Sequence, residues 1–235
     1  MKNLLFLILI FCSTSNAQDY YIHAGKLFDS EKGEMISNMT VIVSDKKIKE
    51  VRKGFKTPKK DDDIVIDLKD STVMPGFIDL HVHIESEYNR EKYMNAFTAE
   101  ESQIAFSSLK FAKRTLMAGF TTVRDLGGSG VNISLRNAIN KGEVIGPRIF
   151  TAGKAIGTTG GHADPTNGWK KSLAGDPGPR QGVINGVDEA RKAVRQRYKD
   201  GADVIKITAT GGVMSIAKNG ENPQFTIEEI KAICE

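Results

Sequence analysis

The sequence is poor in cysteine and in aromatic side chains: its 235 residues include two Cys, one Trp and 7% aromatic residues in all. Two cysteines cannot build a disulfide-rich scaffold, so packing or metal binding must hold the fold. The 33 basic residues exceed the 29 acidic ones only slightly, and no long basic block indicates a nucleic-acid groove. With 40% hydrophobic residues, the chain is too apolar to be disordered.

Only one apolar run is unbroken, at residues 4–11, and it is too short to span a bilayer. It follows Lys2 and precedes small residues that end at Ala17, a pattern typical of a secretory signal peptide over residues 1–17. A buried strand or helix is the alternative. Lipoprotein processing at Cys12 is a further one, which the bulky Phe11 before it disfavours. We therefore expect an exported protein, periplasmic or extracellular, with no stable membrane span after cleavage.

Removal of residues 1–17 would leave Cys234 as the one cysteine, which excludes an intramolecular disulfide. Residues 18–75 then read as a small β-domain, because short runs rich in β-branched and aromatic residues alternate with charged turns. Asp45, Lys46 and Lys47 indicate a hairpin turn between two of these strands. The predicted strands of this domain are residues 20–27, 39–44, 48–53 and 64–68.

Residues 76–235 alternate between strand and helix patterns four times, which favours a parallel sheet with covering helices. The last helix is expected to begin at Thr226, with Glu229 completing a capping box. The other predicted elements are strands at 77–84, 121–126, 148–156 and 204–210 and helices at 98–118, 132–140 and 187–198.

One connection, residues 157–186, is far longer than a βα loop needs to be. It holds eight of the 23 glycines, three prolines and the only tryptophan, Trp169. Loops of this length are usually functional or disordered, and in a parallel α/β barrel a loop after a strand lies on the active-site face. We expect an active-site loop, in which Trp169 covers either the loop or the site.

Histidines alternate with apolar residues along the first strand of the second region. Because side chains of a strand point to opposite faces with period two, His81 and His83 share one face with Asp79, about 7 Å apart along the strand. Two such imidazoles can chelate one Zn²⁺ or similar ion, although a His-x-His pair by itself is more often structural. The opposite face, expected under the helices, carries Ile78, Leu80, Val82 and Ile84.

The stretch Val-Met-Pro-Gly-Phe-Ile-Asp-Leu-His-Val-His at residues 73–83 resembles the amidohydrolase superfamily. Residues 119–125, 203–207 and 211–215 look like its imidazolonepropionase and Xaa-Pro dipeptidase-like branch. The resemblance covers the chain after the signal peptide. It implies an α/β fold: the N-terminal half of a TIM-like (β/α)₈ barrel, as four βα units in residues 76–235, preceded by a small β-sandwich-like composite domain.

The resemblance also implies two divalent metal ions, usually Zn²⁺, bridged by a hydroxide that attacks an amide or related carbonyl. His81 and His83 would hold the first metal, and Lys206 would carry a CO₂-derived carbamate that bridges both. The residue pattern is compatible, since Lys206 is predicted to face an enclosed interior, where burial disfavours the charged amine and leaves it nucleophilic. A lysine paired with a carboxylate is the alternative.

Three further residues are candidates near the site. His162 is similar to the histidine of a Gly-Gly-His segment that faces substrate in the dipeptidase-like branch; a solvent-exposed loop histidine is the alternative. Arg124 and Asp125 end the second strand on opposite faces, and we expect structural ion pairs there rather than substrate contacts.

The implied metal centre needs two further histidines and a proton-handling aspartate, and no histidine follows His162. A (β/α)₈ barrel also needs roughly 250 residues. We therefore expect a fragment of a longer protein, with the catalytic aspartate beyond Glu235 and no activity of its own.

The expected reaction of the parent is hydrolysis of a carbon–nitrogen bond in a dipeptide-like, Xaa-Pro or cyclic amide substrate. A mononuclear deaminase of the same superfamily and a catalytically silent binding or structural module are the alternatives. Small molecules or dipeptides are the expected partners, nucleic acid is not, and homo-oligomerisation stays open.

Overall fold

The computed structural model describes residues 18–88, 90–212 and 219–235, and the chain divides into two compact units after Pro75. The predicted signal peptide and residues 213–215 of the last family-like stretch lie outside the described residues. The first unit is one four-stranded sheet with the strand order β3-β2-β1-β4. Its strands are β1 (Tyr20–Asp29), β2 (Glu34–Ser44), β3 (Lys47–Lys53) and β4 (Ile64–Val73).

The sheet of the first unit is antiparallel except at one pair. β1 runs antiparallel to β2 and parallel to β4, while β2 and β3 form a hairpin. Asp45 and Lys46 join β2 to β3 with positive φ angles of 46° and 61°, the sign that a two-residue hairpin turn requires. The predicted turn is confirmed. Buried apolar side chains of this unit are Tyr21, Ala24, Val41 and Ile42.

The second unit begins with a parallel sheet of order β5-β6-β7. Helix α2 packs against β6, and α3 packs against α2 and β7. A cluster of buried apolar side chains joins these elements: Ile84, Ala112, Val123, Leu135 and Ile149. The elements are β5 (Phe77–Val82), α1 (Glu91–Thr98), α2 (Glu101–Met117), β6 (Phe120–Asp125), α3 (Val131–Asn140) and β7 (Arg148–Thr151).

The long connection after β7 contains regular structure. Two short strands pair in parallel, β8 (Gly157–Thr158) with β9 (Val183–Ile184), and α4 (Lys171–Ala174) lies between them. Helices α5 (Val187–Asp200) and α6 (Ile227–Cys234) follow and pack against each other. The predicted capping box is confirmed, since Thr226 Oγ1 accepts from the Glu229 backbone and Glu229 reaches back to Thr226. None of the helices in the described ranges is long and apolar enough to cross a membrane.

Three predictions about the strands need correction. The predicted third strand, 148–156, ends at Thr151 in β7. The predicted fourth strand, 204–210, is reduced to a parallel bridge between Ile207 and Ile156, flanked by backbone hydrogen bonds of 2.8 and 3.0 Å. Of the apolar face of β5, only the carboxyl-terminal part packs on the core, while Ile78 and Leu80 stay 62% and 56% exposed. The reason is the position of β5 at the edge of its sheet, where α2 covers the neighbouring strand instead.

Candidate active site

The predicted site residues lie around one cavity of about 690 Å³ at the carboxyl ends of the parallel strands. His81 and His83 reach it from the end of β5, Lys206 from the bridged segment beside Ile156, and His162 from the long connection. His83 and Lys206, which are 123 positions apart in the sequence, are thereby brought to the same cavity. The long connection supplies much of the remaining wall, including Pro165, Thr166, Trp169, Asp176, Pro177 and Gln181.

His81 and His83 are close neighbours on the cavity wall. Their ring centroids are 5.5 Å apart and the ring planes are inclined by 65°. His83 Nδ1 lies 2.7 Å from the carbonyl oxygen of Gly127, so Nδ1–H donates and Nε2 keeps its lone pair. A ring nitrogen held in this way by a backbone carbonyl is the usual arrangement of a metal-binding histidine. The donor set therefore suits a divalent metal on the Nε2 side of His83.

Electrostatics favour the neutral form of His81, which is the form that binds a metal ion. Burial lowers the pKa of its imidazole, and the positive charge of Lys206 lowers it further. Lys206 and Thr208 both line the cavity, while Ile207 between them packs on the apolar cluster of α5 and α6. The predicted alternation around Lys206 is thus present without a regular strand. No carboxylate within the described ranges is within ion-pair distance of Lys206.

His162 is exposed; its backbone is hydrogen-bonded beside the cavity, and its ring lies against a glycine. Its N–H donates to Gln224 Oε1 at 2.9 Å, and the Gln224 N–H donates to the Ala209 carbonyl at 2.8 Å. A Cβ on Gly212 would lie 2.2 Å from the His162 ring, so only glycine leaves room for the imidazole there. Gln224 was not predicted from the sequence, because nothing local connects it with a histidine 62 positions earlier.

Asp164 organises the turn that carries His162. Its carboxylate is 8% exposed and accepts the Gly160 N–H at 2.8 Å, the Thr166 N–H at 2.9 Å and the Thr166 hydroxyl at 2.7 Å. Burial acts to raise the pKa of Asp164, but these hydrogen bonds together hold it below its usual value. The signal was available in the sequence, since an Asp two residues before a Thr in a glycine-rich segment is typical of a side-chain-closed turn.

Asp125 does not form the predicted ion pair. Its side chain is fully buried and accepts from the Ile84 N–H at 2.8 Å, the Gly127 N–H at 3.1 Å and Asn132 Nδ2 at 2.8 Å. Burial raises the pKa of the Asp125 carboxyl, and these donors oppose the rise. Arg124 likewise turns to a backbone partner, with Nε donating to the Leu80 carbonyl at 2.7 Å. Both side chains are structural, as expected, but they act through backbone hydrogen bonds.

Trp169 lines the cavity and packs on the ring of Phe97, with centroids 4.6 Å apart. It therefore contributes to the site as well as to the fold of the long connection. Within the described parts of the chain, no three His, Cys, Asp or Glu side chains converge as a metal site. The described residues therefore supply two imidazoles and Lys206, and no third ligand of those four types.

Comparison with known proteins places the chain in a family. The model of the amidohydrolase family matches residues 72–235, which include every site residue discussed above. The chain belongs to the amidohydrolase family. Its α/β fold matches TIM-barrel amidohydrolases over about half of their length, with the β-rich unit at the amino-terminal side.

Amidohydrolase relatives of known structure and activity resemble the whole described chain. Ochratoxinase of Aspergillus niger is 34% identical over an alignment that covers 97% of this chain and 49% of the relative. A Xaa-Pro dipeptidase solved with methionine in its active site is 50% identical, with a TM-score of 0.86 over 92% of this chain and 53% of that one. A prolidase complexed with N-methylphosphonate-L-proline is 36% identical, with a TM-score of 0.77. The chain spans about half the length of these relatives.

Proposed function

We propose that this chain is the N-terminal part of a metal-dependent amidohydrolase that cleaves a carbon–nitrogen bond of an amide or peptide-like substrate. The observation that carries the proposal is the convergence of His81, His83, Lys206 and His162 on one cavity of about 690 Å³. Cavities of this size hold small-molecule ligands. The likeness to a Xaa-Pro dipeptidase and to ochratoxinase supports an amide bond as the bond cleaved.

In this proposal two divalent ions, Zn²⁺ by resemblance, are held in part by the residues of this chain. His81 and His83 supply imidazole nitrogens, and His83 does so through Nε2, because Nδ1 is engaged by Gly127. Lys206 supplies an oxygen ligand once it carries a carbamate. When bound, such ions lower the pKa of a water ligand and polarise the scissile carbonyl.

The other cavity residues of this chain bind and orient the substrate. The His162 N–H donates to Gln224, its ring lies against Gly212, and the ring contacts the substrate. Trp169, stacked on Phe97, shields one side of the cavity and offers an apolar surface to a side chain. The substrate class that fits these walls is a dipeptide such as Xaa-Pro, or a cyclic amide.

For the 235 residues by themselves we propose metal binding without turnover. This second proposal rests on the chain's span of about half of its relatives, which leaves part of the ligand set implied by the resemblance outside these 235 residues. The proton-handling aspartate that the family requires would come from the remaining barrel strands of the longer protein. A purified 235-residue chain that hydrolyses Xaa-Pro dipeptides would contradict this second proposal.

We further propose export through residues 1–17, to the periplasm or the extracellular space. The support is the sequence pattern of a charged start, an apolar run and small residues before Gln18. Amino-terminal sequencing of the exported protein should begin at Gln18. A mature protein that begins at a lipid-modified Cys12 would instead establish lipoprotein processing, and retention of Met1 would contradict export.

The main test is hydrolysis by the full-length protein after loading with Zn²⁺ and ¹³C-labelled bicarbonate. We expect release of proline from Xaa-Pro dipeptides and a carbamate signal in the ¹³C NMR spectrum. Lys206→Ala should abolish both, while Lys170→Ala, an exposed lysine that is not among the cavity-lining residues, should retain both. Full activity of Lys206→Ala would exclude the carbamate, and absence of hydrolysis in the loaded parent would contradict the proposed reaction.

A further inference from the structure

A buried carboxylate lies directly behind the histidine pair and has no part in the reaction proposed above. Asp125, at the carboxyl end of β6, is fully buried. Its two oxygens serve different partners. Oδ2 accepts the Ile84 N–H at 2.8 Å, and Oδ1 accepts the Gly127 N–H at 3.1 Å and Asn132 Nδ2 at 2.8 Å. Two of these three donors belong to the segments that hold His83.

The Ile84 contact restrains the backbone of the histidine strand. Ile84 follows His83 directly and is 4% exposed in the apolar cluster of this unit. Its N–H points at Asp125 rather than continuing the ladder between β5 and β6, whose last paired residues are Val82 and Asp125. The carboxylate therefore accepts a backbone N–H just beyond the last residue pair of β5 and β6, one residue after His83.

The Gly127 contact restrains the imidazole ring. The Gly127 N–H donates to Asp125 Oδ1, and the carbonyl of the same residue accepts the His83 Nδ1–H at 2.7 Å. Gly127 has a φ of 145°, and a Cβ there would lie 3.7 Å from His83 Cε1 and 3.5 Å from the Ala155 side chain. The glycine thus passes close to the ring in a conformation that other residues rarely adopt.

Asn132 fixes the carboxylate in turn. Its Nδ2 donates to Asp125 and also lies 3.2 Å from the Gly153 carbonyl, and the residue is fully buried in the first turn of α3. The ends of β5 and β6 and the segment after β7 are therefore joined through one carboxylate. A buried carboxylate that has three N–H donors is held far more rigidly than a solvated one.

We propose that Asp125 is a positioning residue for His83: it fixes the strand end through Ile84 and the ring through Gly127, and so commits Nε2 of His83 to the metal. This inference rests on the proposed metal-binding function of His83. Loss of a group that orients a metal ligand typically lowers metal affinity about 10–100-fold. Asp125 contacts neither metal nor substrate in this arrangement.

The test compares two variants of the full chain that each neutralise a buried carboxylate. In Asp125→Asn, the new NH₂ group faces an N–H donor, and the single remaining oxygen cannot accept from both the Ile84 and the Gly127 N–H, so one of the two contacts that hold His83 is lost. The matched control is Glu85→Gln: Glu85 is 8% exposed and accepts two backbone N–H groups, from Ser129 at 2.6 Å and Asn132 at 2.7 Å, but holds no atom of the His83 ring. Folding of both variants is checked by circular dichroism.

The first readout needs no metal. Long-range ¹H–¹⁵N NMR reports the tautomer of His83, which we expect to be Nδ1–H in the parent and in Glu85→Gln, and a mixture of tautomers in Asp125→Asn. The second readout is Co²⁺ affinity from its visible spectrum, expected to fall about 10–100-fold in Asp125→Asn and less than about threefold in Glu85→Gln. An unchanged tautomer together with unchanged affinity in Asp125→Asn would overturn the inference.

The test also covers a variant that does not fold and a parent that binds no metal. If Asp125→Asn does not fold, Asn132→Ser removes one donor from the carboxylate, and a shift of His83 toward mixed tautomers supports the inference while an unshifted ring overturns it. If the parent binds no metal, the proposed function fails, but the tautomer measurement still decides whether Asp125 positions His83.

Discussion

At the scale of single residues, the candidate site contains close contacts in which one position must be glycine for a neighbouring ring to fit. Gly212 and His162 are the clearest pair, because the imidazole occupies the place of a Cβ. The motif around residues 203–215 places a glycine there, yet its contact with a histidine fifty positions earlier is a matter of tertiary structure. The two residue types can be read from the sequence, but the contact between them cannot.

Gly212→Ala should displace the His162 ring. The added methyl group would lie 2.2 Å from the ring atoms, so the imidazole has to rotate out of its position. We expect a changed His162 Cε1–H chemical shift in the NMR spectrum and, in the full-length protein, a higher KM for dipeptide substrates. Gly178→Ala is the control, because a Cβ there meets nothing within 4 Å. An unmoved His162 resonance in Gly212→Ala would show that the added methyl group does not displace the ring.

Asp164→Asn should loosen the turn that carries His162. An amide cannot accept all three hydrogen bonds, and an unsatisfied buried donor costs about 1–3 kcal/mol. Faster hydrogen exchange at the Gly160 and Thr166 amides at pH 7 is the expected result. Asp176→Asn, an exposed aspartate of the same connection, is the control and should leave these amides protected.

The effect of Asp164 should depend on pH in a defined direction. Because its folded-state pKa is lowered, the stabilisation is fully present above the unfolded value of about 3.9 and is lost as the pH falls through the folded pKa. The difference in urea stability between the parent and Asp164→Asn should therefore shrink below pH 4. A difference that stays constant between pH 7 and pH 2.5 would contradict a role for the ionised carboxylate.

At the scale of elements, the β2–β3 hairpin shows how a local pattern determines a turn. Asp45 and Lys46 both adopt positive φ, which costs an ordinary side chain roughly 1–2 kcal/mol per residue. The sequence uses charged residues here where glycine or asparagine would be preferred. The turn is therefore predictable in position, while its strain becomes visible only in the backbone angles.

Lys46→Gly should stabilise the chain by about 0.5–1 kcal/mol, because glycine adopts positive φ without steric cost. The neighbouring Lys47→Gly is the matched control. Lys47 is the first residue of β3 and pairs with Ser44, so glycine there should destabilise by about 0.5–1 kcal/mol. Chemical denaturation of both variants gives the comparison, and equal effects of the two substitutions would exclude the turn conformation as the cause.

Strand β5 illustrates what periodicity can and cannot predict. Alternation correctly placed His81 and His83 on the cavity and Val82 and Ile84 toward the helices. It did not predict that the first half of the apolar face, at Ile78 and Leu80, stays exposed. Which part of an apolar face becomes covered depends on where the helices lie, and that is decided by packing between elements.

At the scale of the whole molecule, the second unit exposes large apolar side chains along β5, the outer strand of its sheet. Phe77, Ile78 and Leu80 of β5 are 46%, 62% and 56% exposed. Adjacent exposed apolar side chains of this kind favour binding of hydrophobic dyes and association between molecules.

The double substitution Ile78→Thr and Leu80→Thr should lower the fluorescence of the dye ANS bound to the purified chain. It should also reduce any concentration-dependent association seen by analytical ultracentrifugation, since both effects depend on apolar surface. The control replaces two exposed apolar residues on separate helices, Tyr198→Thr and Ile227→Thr, which share no strand. If this control lowers dye binding as strongly, the outer strand is not the main apolar surface.

The sequence by itself determined the residue types and their local order: the β-rich first unit, the alternation of strands and helices, the capping box at Thr226, and the histidines of β5. These follow from interactions within a few residues, which periodicity and capping rules describe. Only the tertiary structure decided that Asp125 accepts the Ile84 N–H instead of pairing with a cation, that Gln224 holds His162, and that Lys206 reaches the cavity from a bridged segment. Those outcomes depend on burial and on contacts between residues more than forty positions apart, where the free energy of a contact is set by the surroundings that all elements create together.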